Sequence, residues 1–143
     1  SELADLQGSP VVCDYYNANP ASVEAGLELL SQVARIEGTA RRKWVCLGDM
    51  LELGTEEERF HRDLSAPIES AMLDGILLFG DRMRWLADEL KTRGYKGHLS
   101  HHDSHESLVL ELRNHWKAGD ALLIKGSRGM KMETVWKALQ GST

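Results

Sequence analysis

Short apolar runs alternate with longer segments of helical period along the chain, the pattern that parallel strands joined by crossover helices produce. Residues 10–14 (PVVCD), 44–47 (WVCL), 75–79 (GILLF) and 121–124 (ALLI) are near-continuous apolar runs, suited to strands covered on both faces. Residues 98–100 add a shorter strand. Between these runs the apolar residues fall three and four apart. Val23, Leu27, Leu30 and Ala34 make one stripe over a helix expected from Pro20 to about Ile36, and Met83, Leu86 and Leu90 mark another over 81–93. Further helices are expected from Glu56 into the Leu64 region, over 107–116 and over 130–139. The punctuation agrees. Asn19 can accept a free backbone N–H as an N-cap, with Pro20 at the first helical position, while Gly38 and Gly94 serve as stops. Thr55 with Glu58 resembles a capping box, and Pro67 bends or restarts the helix it falls in. Five strands and five helices in strict alternation predict an α/β domain: an open, mostly parallel, Rossmann-like sheet with helices on both faces.

Composition narrows the function. A chain of 143 residues with 42% hydrophobic and 27% charged residues suits one folded domain, and no repeat, linker or low-complexity tract divides it. The formal net charge of -5, without a run of like charges, argues against a nucleic-acid partner. No apolar stretch approaches the roughly 20 residues of a bilayer span, and residues 1–8 lack the basic start of a signal peptide. Cys13 and Cys46 each lie inside a strand-like run, where a thiol is a small hydrophobe, so a reduced, cytoplasmic protein is expected.

In an open parallel sheet ligands gather at the carboxyl ends of the strands. Three polar segments sit there. The first, Asp14-Tyr15-Tyr16-Asn17-Ala18-Asn19-Pro20, suits a nucleoside: a carboxylate for ribose hydroxyls, an aromatic ring for a base, amides for exocyclic groups. Alternatively Asn19 is only a cap and the tyrosines fill the sheet edge. The second, Gly48-Asp49-Met50-Leu51-Glu52-Leu53-Gly54, brackets two acids with glycines; they could hold an ammonium group or a metal, although a metal site would normally want more ligands, or be a solvated loop. His61 follows by about two helical turns and either points back to that loop or faces solvent. The third, residues 125–133 (KGSRGMKME), follows a buried strand and opens a helix. Glycines, helix-start amides, Lys125 and Arg128 there favour phosphate or carboxylate.

Neither G-x-x-x-x-G-K-[ST] nor G-x-G-x-x-G occurs, so the chain carries no loop of its own for cradling a triphosphate. His101, His102 and His105 lack nearby cysteines. Asp103 and Glu106 resemble an N-cap and its N3 partner, which would place these imidazoles on an exposed helix start and argues against a metal site. No Ser-His-Asp or Cys-His set can be assembled from spacing.

Taken in order, the three segments resemble those of the Mur ligases, the ATP-dependent amide-forming enzymes of peptidoglycan assembly, and within them the MurF type that adds D-alanyl-D-alanine. Residues 14–20 look like the family's Asp-x-Tyr-Asn-Ala-Asn-Pro signature. Residues 47–54 look like its Leu-Gly-Asp-Met-x-Glu-Leu-Gly loop, followed by His61, and Lys125 to Arg128 like its Lys-Gly-Ser-Arg turn. Two positions depart: Cys13 stands where a second acid is common, and Tyr15 where a small residue is frequent.

The resemblance implies the carboxyl-terminal domain of a three-domain ligase. The other two domains would hold the UDP-sugar and the P-loop with magnesium, and this one would close over ATP and be inactive alone. It further implies that Asp14 contacts the ATP ribose and that Tyr16, Asn17 and Asn19 line the nucleotide side. Lys125, Ser127 and Arg128 would face the incoming dipeptide, with Asp49, Glu52 and His61 binding substrate or shaping the loop. The reaction implied is ATP-driven phosphorylation of the terminal carboxylate of UDP-N-acetylmuramoyl-tripeptide, then attack by the amine of D-alanyl-D-alanine on the acyl phosphate. The competing readings are a stand-alone, flavodoxin-like module that binds an anionic metabolite, and a relative adding another amino acid. The lack of an Asp-Asn-Pro-Arg segment disfavours the diaminopimelate-adding type.

Overall fold

The computed structural model describes residues 1–35, 38 and 40–141. Its elements, in chain order, are β1 (Glu2–Leu6), β2 (Ser9–Asp14), α1 (Pro20–Val33), β3 (Lys43–Gly48), α2 (Glu57–Asp63) and α3 (Ser65–Ala71). They continue with β4 (Gly75–Phe79), α4 (Met83–Thr92), β5 (His98–His102), α5 (His105–His115), β6 (Ala121–Lys125) and α6 (Glu133–Gln140). The six strands form one sheet in the order β1-β2-β6-β3-β4-β5, parallel throughout except for β1, which runs antiparallel to β2.

Successive strand residues point to opposite faces, and the core divides accordingly. Val12, Val45, Leu47, Ile76, Leu78 and Leu123 pack with α1, α3, α4 and Leu64 on one face. Val11, Cys13, Trp44, Cys46, Leu77, Leu122 and Ile124 pack under α5 and α6 on the other. Both faces are therefore covered, which explains the continuous apolar runs. The α/β sheet with helices on both sides is as expected.

The differences lie at the margins. A sixth strand, β1, escaped the apolar pattern because Glu2 and Asp5 interrupt it and most of its residues are exposed at the sheet edge. Its turn, Gln7-Gly8, has φ of 52° and 89°, the left-handed pair that a two-residue hairpin requires. The expected second helix is two helices, broken at Leu64. Pro67 falls in the first turn of α3, where a missing N–H costs no helical bond.

Asn19 caps α1 as expected, its Oδ1 accepting from Ser22 N at 2.9 Å while Ser22 Oγ accepts from Asn19 N. Helix α1 ends at Val33; Ile36, its expected end, lies outside the described residues. The other two expected caps are not formed. Thr55 lies in a 3-10 turn (Gly54–Glu56) ahead of α2, whose start has no side-chain cap. Ser104, one residue past Asp103, caps α5 by accepting from Ser107 N. The closing helix begins at Glu133, after a 3-10 turn over Arg128–Met130.

Candidate functional site

Strands β2, β6 and β3 lie side by side, and their carboxyl ends bring the three polar segments to one rim. Asp14 and Lys125 are register partners at the ends of β2 and β6. The Lys125 side chain is fully buried, and its ammonium donates to Asp14 Oδ2 at 2.7 Å and to the Asn17 carbonyl at 2.8 Å. A buried ammonium needs such partners, since desolvation without them costs several kcal/mol. One ion pair thus fixes the end of β6 to the turn that opens α1. Asp14 Oδ2 also accepts from the Ser1 hydroxyl at 3.2 Å, and Asp14 Oδ1 has no partner among the described residues.

Above this floor, Tyr16, Asn17, Leu51, Glu52, Ser127, Arg128 and Gly129 line an open cleft of about 480 Å³. Tyr16 is 67% exposed, its ring 5.9 Å from that of Tyr15. Arg128 is exposed on the same cleft, with no ion pair among the described residues. The cleft therefore offers one cationic fork, one aromatic face, an amide and one carboxylate to whatever enters it. Glu52 holds φ of 63°, an uncommon conformation for a residue with a side chain, so its carboxylate is set on the rim by a specific backbone turn.

Three of the residues that the resemblance placed in the site lock its walls instead of lining it. Asp49 is 2% exposed; its Oδ1 accepts from Met83 N at 2.9 Å and its Oδ2 from Arg82 N at 3.2 Å, which ties the β3 loop to the start of α4. Asn19 has its side-chain oxygen committed to the α1 cap. His61, fully buried, accepts from Met50 N through Nε2 at 3.0 Å, and its Nδ1 lies 2.7 Å from the Glu57 carbonyl. An acceptor at Nε2 and a carbonyl at Nδ1 identify the neutral, Nδ1-protonated ring. His61 does point back to the acidic loop, and it does so as a strut. Ser127 joins the two walls: its N donates to the Asp49 carbonyl and its Oγ accepts from Leu51 N at 2.8 Å.

The histidines expected on an exposed helix start are held inward. His101 bonds the Gly80 carbonyl at 2.6 Å and His105 the Met130 carbonyl at 2.8 Å, while buried His102 sits between the hydroxyls of Ser100 and Ser107. The partners of His101 and His105 lie 21 and 25 residues away in the chain, beyond the reach of local helix spacing. Tyr15 packs, partly buried, against the core on the α5 and α6 face that also holds Cys13, and burial raises both groups above their ordinary values. The two departures from the family pattern thus lie against the same core cluster. Leu51 and Gly129 complete the cleft; both lie inside the candidate segments, but neither is a sequence-predicted site residue, being apolar or small.

Burial lowers both His61 and His102 below the ordinary histidine value of 6.5. The native protein keeps both rings neutral while the unfolded chain takes up protons below about pH 6.5. Stability is therefore full above that pH and declines as pH falls toward the depressed native values. Urea unfolding between pH 7.5 and 5.5 should show a falling midpoint, by at most about 1.4 kcal/mol per pH unit for each ring. The His61→Gln variant, whose amide oxygen can face Met50 N without titrating, should flatten that slope.

The family model for "Mur ligase, glutamate ligase domain" matches residues 2–128. The chain belongs to the Mur ligase family. Among curated members of that family, it is 34% identical over 132 residues to the UDP-N-acetylmuramoyl-tripeptide--D-alanyl-D-alanine ligase of Bacillus subtilis, an alignment covering 92% of this chain and 28% of the relative. It is also 34% identical over 134 residues to the ligase of the same name from Rickettsia prowazekii, covering 94% of this chain and 28% of that one. The chain thus spans under a third of the length of these Mur ligases. Among solved structures, the MurF ligase of Thermotoga maritima in complex with ADP superposes with a TM-score of 0.77 at 26% identity, over 97% of this chain and 30% of that one. A MurF structure from Acinetobacter baumannii, at 24% identity and a TM-score of 0.79, shares the fold over 99% of this chain. No described helix of this Mur ligase domain is long and apolar enough to cross a membrane.

Proposed function

We propose that this domain is the carboxyl-terminal, closing part of a cytoplasmic ligase that joins D-alanyl-D-alanine to UDP-N-acetylmuramoyl-tripeptide at the expense of ATP. The observation that carries the proposal is the open cleft at the carboxyl ends of β2, β6 and β3, lined together by Tyr16, Asn17, Glu52 and an Arg128 that has no ion pair among the described residues. It suits one wall of a nucleotide and substrate site and lacks the phosphate-cradling loop that a complete one needs.

Asp14 Oδ1 is assigned to the ribose hydroxyls, with Oδ2 held by Lys125 so that the carboxylate keeps one orientation. Tyr16 and Asn17 flank the nucleotide. Arg128, a planar donor fork, is matched to a carboxylate or phosphate and is assigned to the incoming dipeptide with Ser127 and Glu52 beside it. Lys125, although assigned to the dipeptide by resemblance, is fully buried with its ammonium bonded to Asp14 and the Asn17 carbonyl, so its part is to hold the floor.

The magnesium that such ligases use does not fit this chain. Asp49 is occupied by backbone N–H groups, Asp14 by an ammonium, and Glu52 alone is too few oxygens for the ion. The remaining domains would hold it, together with most of the ATP. What this domain supplies is position: closure would bring Arg128 and its bound dipeptide toward the activated carboxylate and expel water that would hydrolyse it.

In the full ligase, Arg128→Ala should lower kcat/KM for D-alanyl-D-alanine by roughly 10²-fold, the cost of one lost charge-assisted contact at a desolvated site. The KM for UDP-N-acetylmuramoyl-tripeptide should change little. Equal losses for both substrates, or none, would count against the assignment.

A further inference from the structure

Outside the cleft, His98, Glu111 and His115 gather at the opposite end of the sheet. His98 opens the edge strand β5, and Glu111 and His115 stand four apart on the last turns of α5, so both face the strand. One ligand atom from each lies within 4.8 Å of the others. The two imidazoles stack at 4.1 Å between ring centroids, and the Glu111 carboxylate sits 2.9 Å from His98 Nε2 and 3.8 Å from His115 Nδ1.

This arrangement leaves a polar atom unsatisfied. His98 Nε2 is buried, and although Glu111 Oε2 is 2.9 Å away, it makes no hydrogen bond among the described residues. His115 Nδ1 lies 2.9 Å from the Glu111 carbonyl as well as 3.8 Å from its carboxylate, so binding an ion would exchange that carbonyl contact for the metal. Two imidazole nitrogens and one carboxylate oxygen make the donor set of a borderline divalent ion. The side chains are 24%, 30% and 40% exposed, so an ion can enter from solvent. Adjacent ligands of tetrahedral zinc lie roughly 3.4 Å apart, so small rotations of the long Glu111 and terminal His115 would close the set.

We propose that His98, Glu111 and His115 form a binding site for a divalent ion of the zinc class, which fastens the edge strand β5 to the end of α5. The site is separate from the cleft and stands whether or not the ligase reading holds. Trp44 reports on it: its ring lies 5.9 Å from that of His98 and 6.4 Å from that of His115.

The test uses the purified, tag-free domain, treated with chelator, and titrates ZnCl2 by calorimetry, with NiCl2 followed by tryptophan quenching. One saturable equivalent is expected, together with a Tm that rises with zinc and is unmoved by the same concentration of MgCl2. Glu111→Gln and His115→Gln should each weaken zinc binding at least about tenfold and lose the zinc-dependent rise in Tm. Both positions are partly exposed, so the metal-free Tm should stay near wild type. No saturable zinc binding below millimolar concentration would overturn the proposal. So would binding that survives both substitutions unchanged, which would place the ion at other histidines.

Discussion

Replacing Asp14 by Ala is expected to destabilise the domain by about 3–5 kcal/mol, because it strands the buried Lys125 ammonium with the Asn17 carbonyl as its one remaining partner. Lys125→Met should cost less. It removes the buried charge while keeping the stem, and the carboxylate it leaves behind is 18% exposed and can recover water. The double variant should lie near Lys125→Met alone, a marked departure from additivity, because without the ammonium there is no stranded charge. Urea unfolding of the three variants measures this directly. A loss below about 1 kcal/mol for Asp14→Ala would mean that the pair does not hold the rim together.

Gly75→Ala should be the most damaging single methyl group. Gly75 stands in register between Trp44 and His98, and the Trp44 ring lies flat across it: a Cβ there would come within 2.0 Å of the indole. Trp44 cannot retreat easily, being 1% exposed, with its Nε1 donating to Asp120 Oδ2 at 2.9 Å. A loss of about 3 kcal/mol or more is expected, at the upper end of overpacking costs. Intrinsic tryptophan fluorescence should change as the ring is displaced. A variant with unchanged stability and spectrum would show that the indole has room to move.

This contact illustrates what the residues disclosed and what they concealed. The run GILLF announced a buried strand because both of its faces are covered, yet nothing in it said that Gly75 is glycine to admit an indole from the neighbouring strand. The same division holds at the rim. Segments 14–20, 48–54 and 125–129 were legible as strand ends, where polar residues interrupt apolar runs, and the fold does bring them together. Which side chains line the cleft was not legible. Asp49 and His61 resemble ligand-binding groups in composition, and their partners, the N–H groups of Met83 and Met50, follow from the placement of α4 and α2 against the β3 loop. Residues 2–6 failed as a strand in the pattern because an edge strand keeps its charges, and only the Gln7-Gly8 turn carried a signal for it.

In the proposed reading, the domain is one half of a site. Its rim presents Asp14, Tyr16, Asn17, Glu52 and Arg128 on a scaffold locked by Lys125, Ser127, Asp49 and His61, and the phosphate cradle and the metal belong to the other domains of the proposed ligase. The most direct test is a titration of the isotopically labelled domain with ADP, followed residue by residue through its amide signals. The shifts should gather at residues 14–17, 51–52 and 127–129 and remain unsaturated below millimolar ADP. Shifts confined to the outer faces of α4 or α5, or tight saturable binding by the isolated domain, would contradict the half-site.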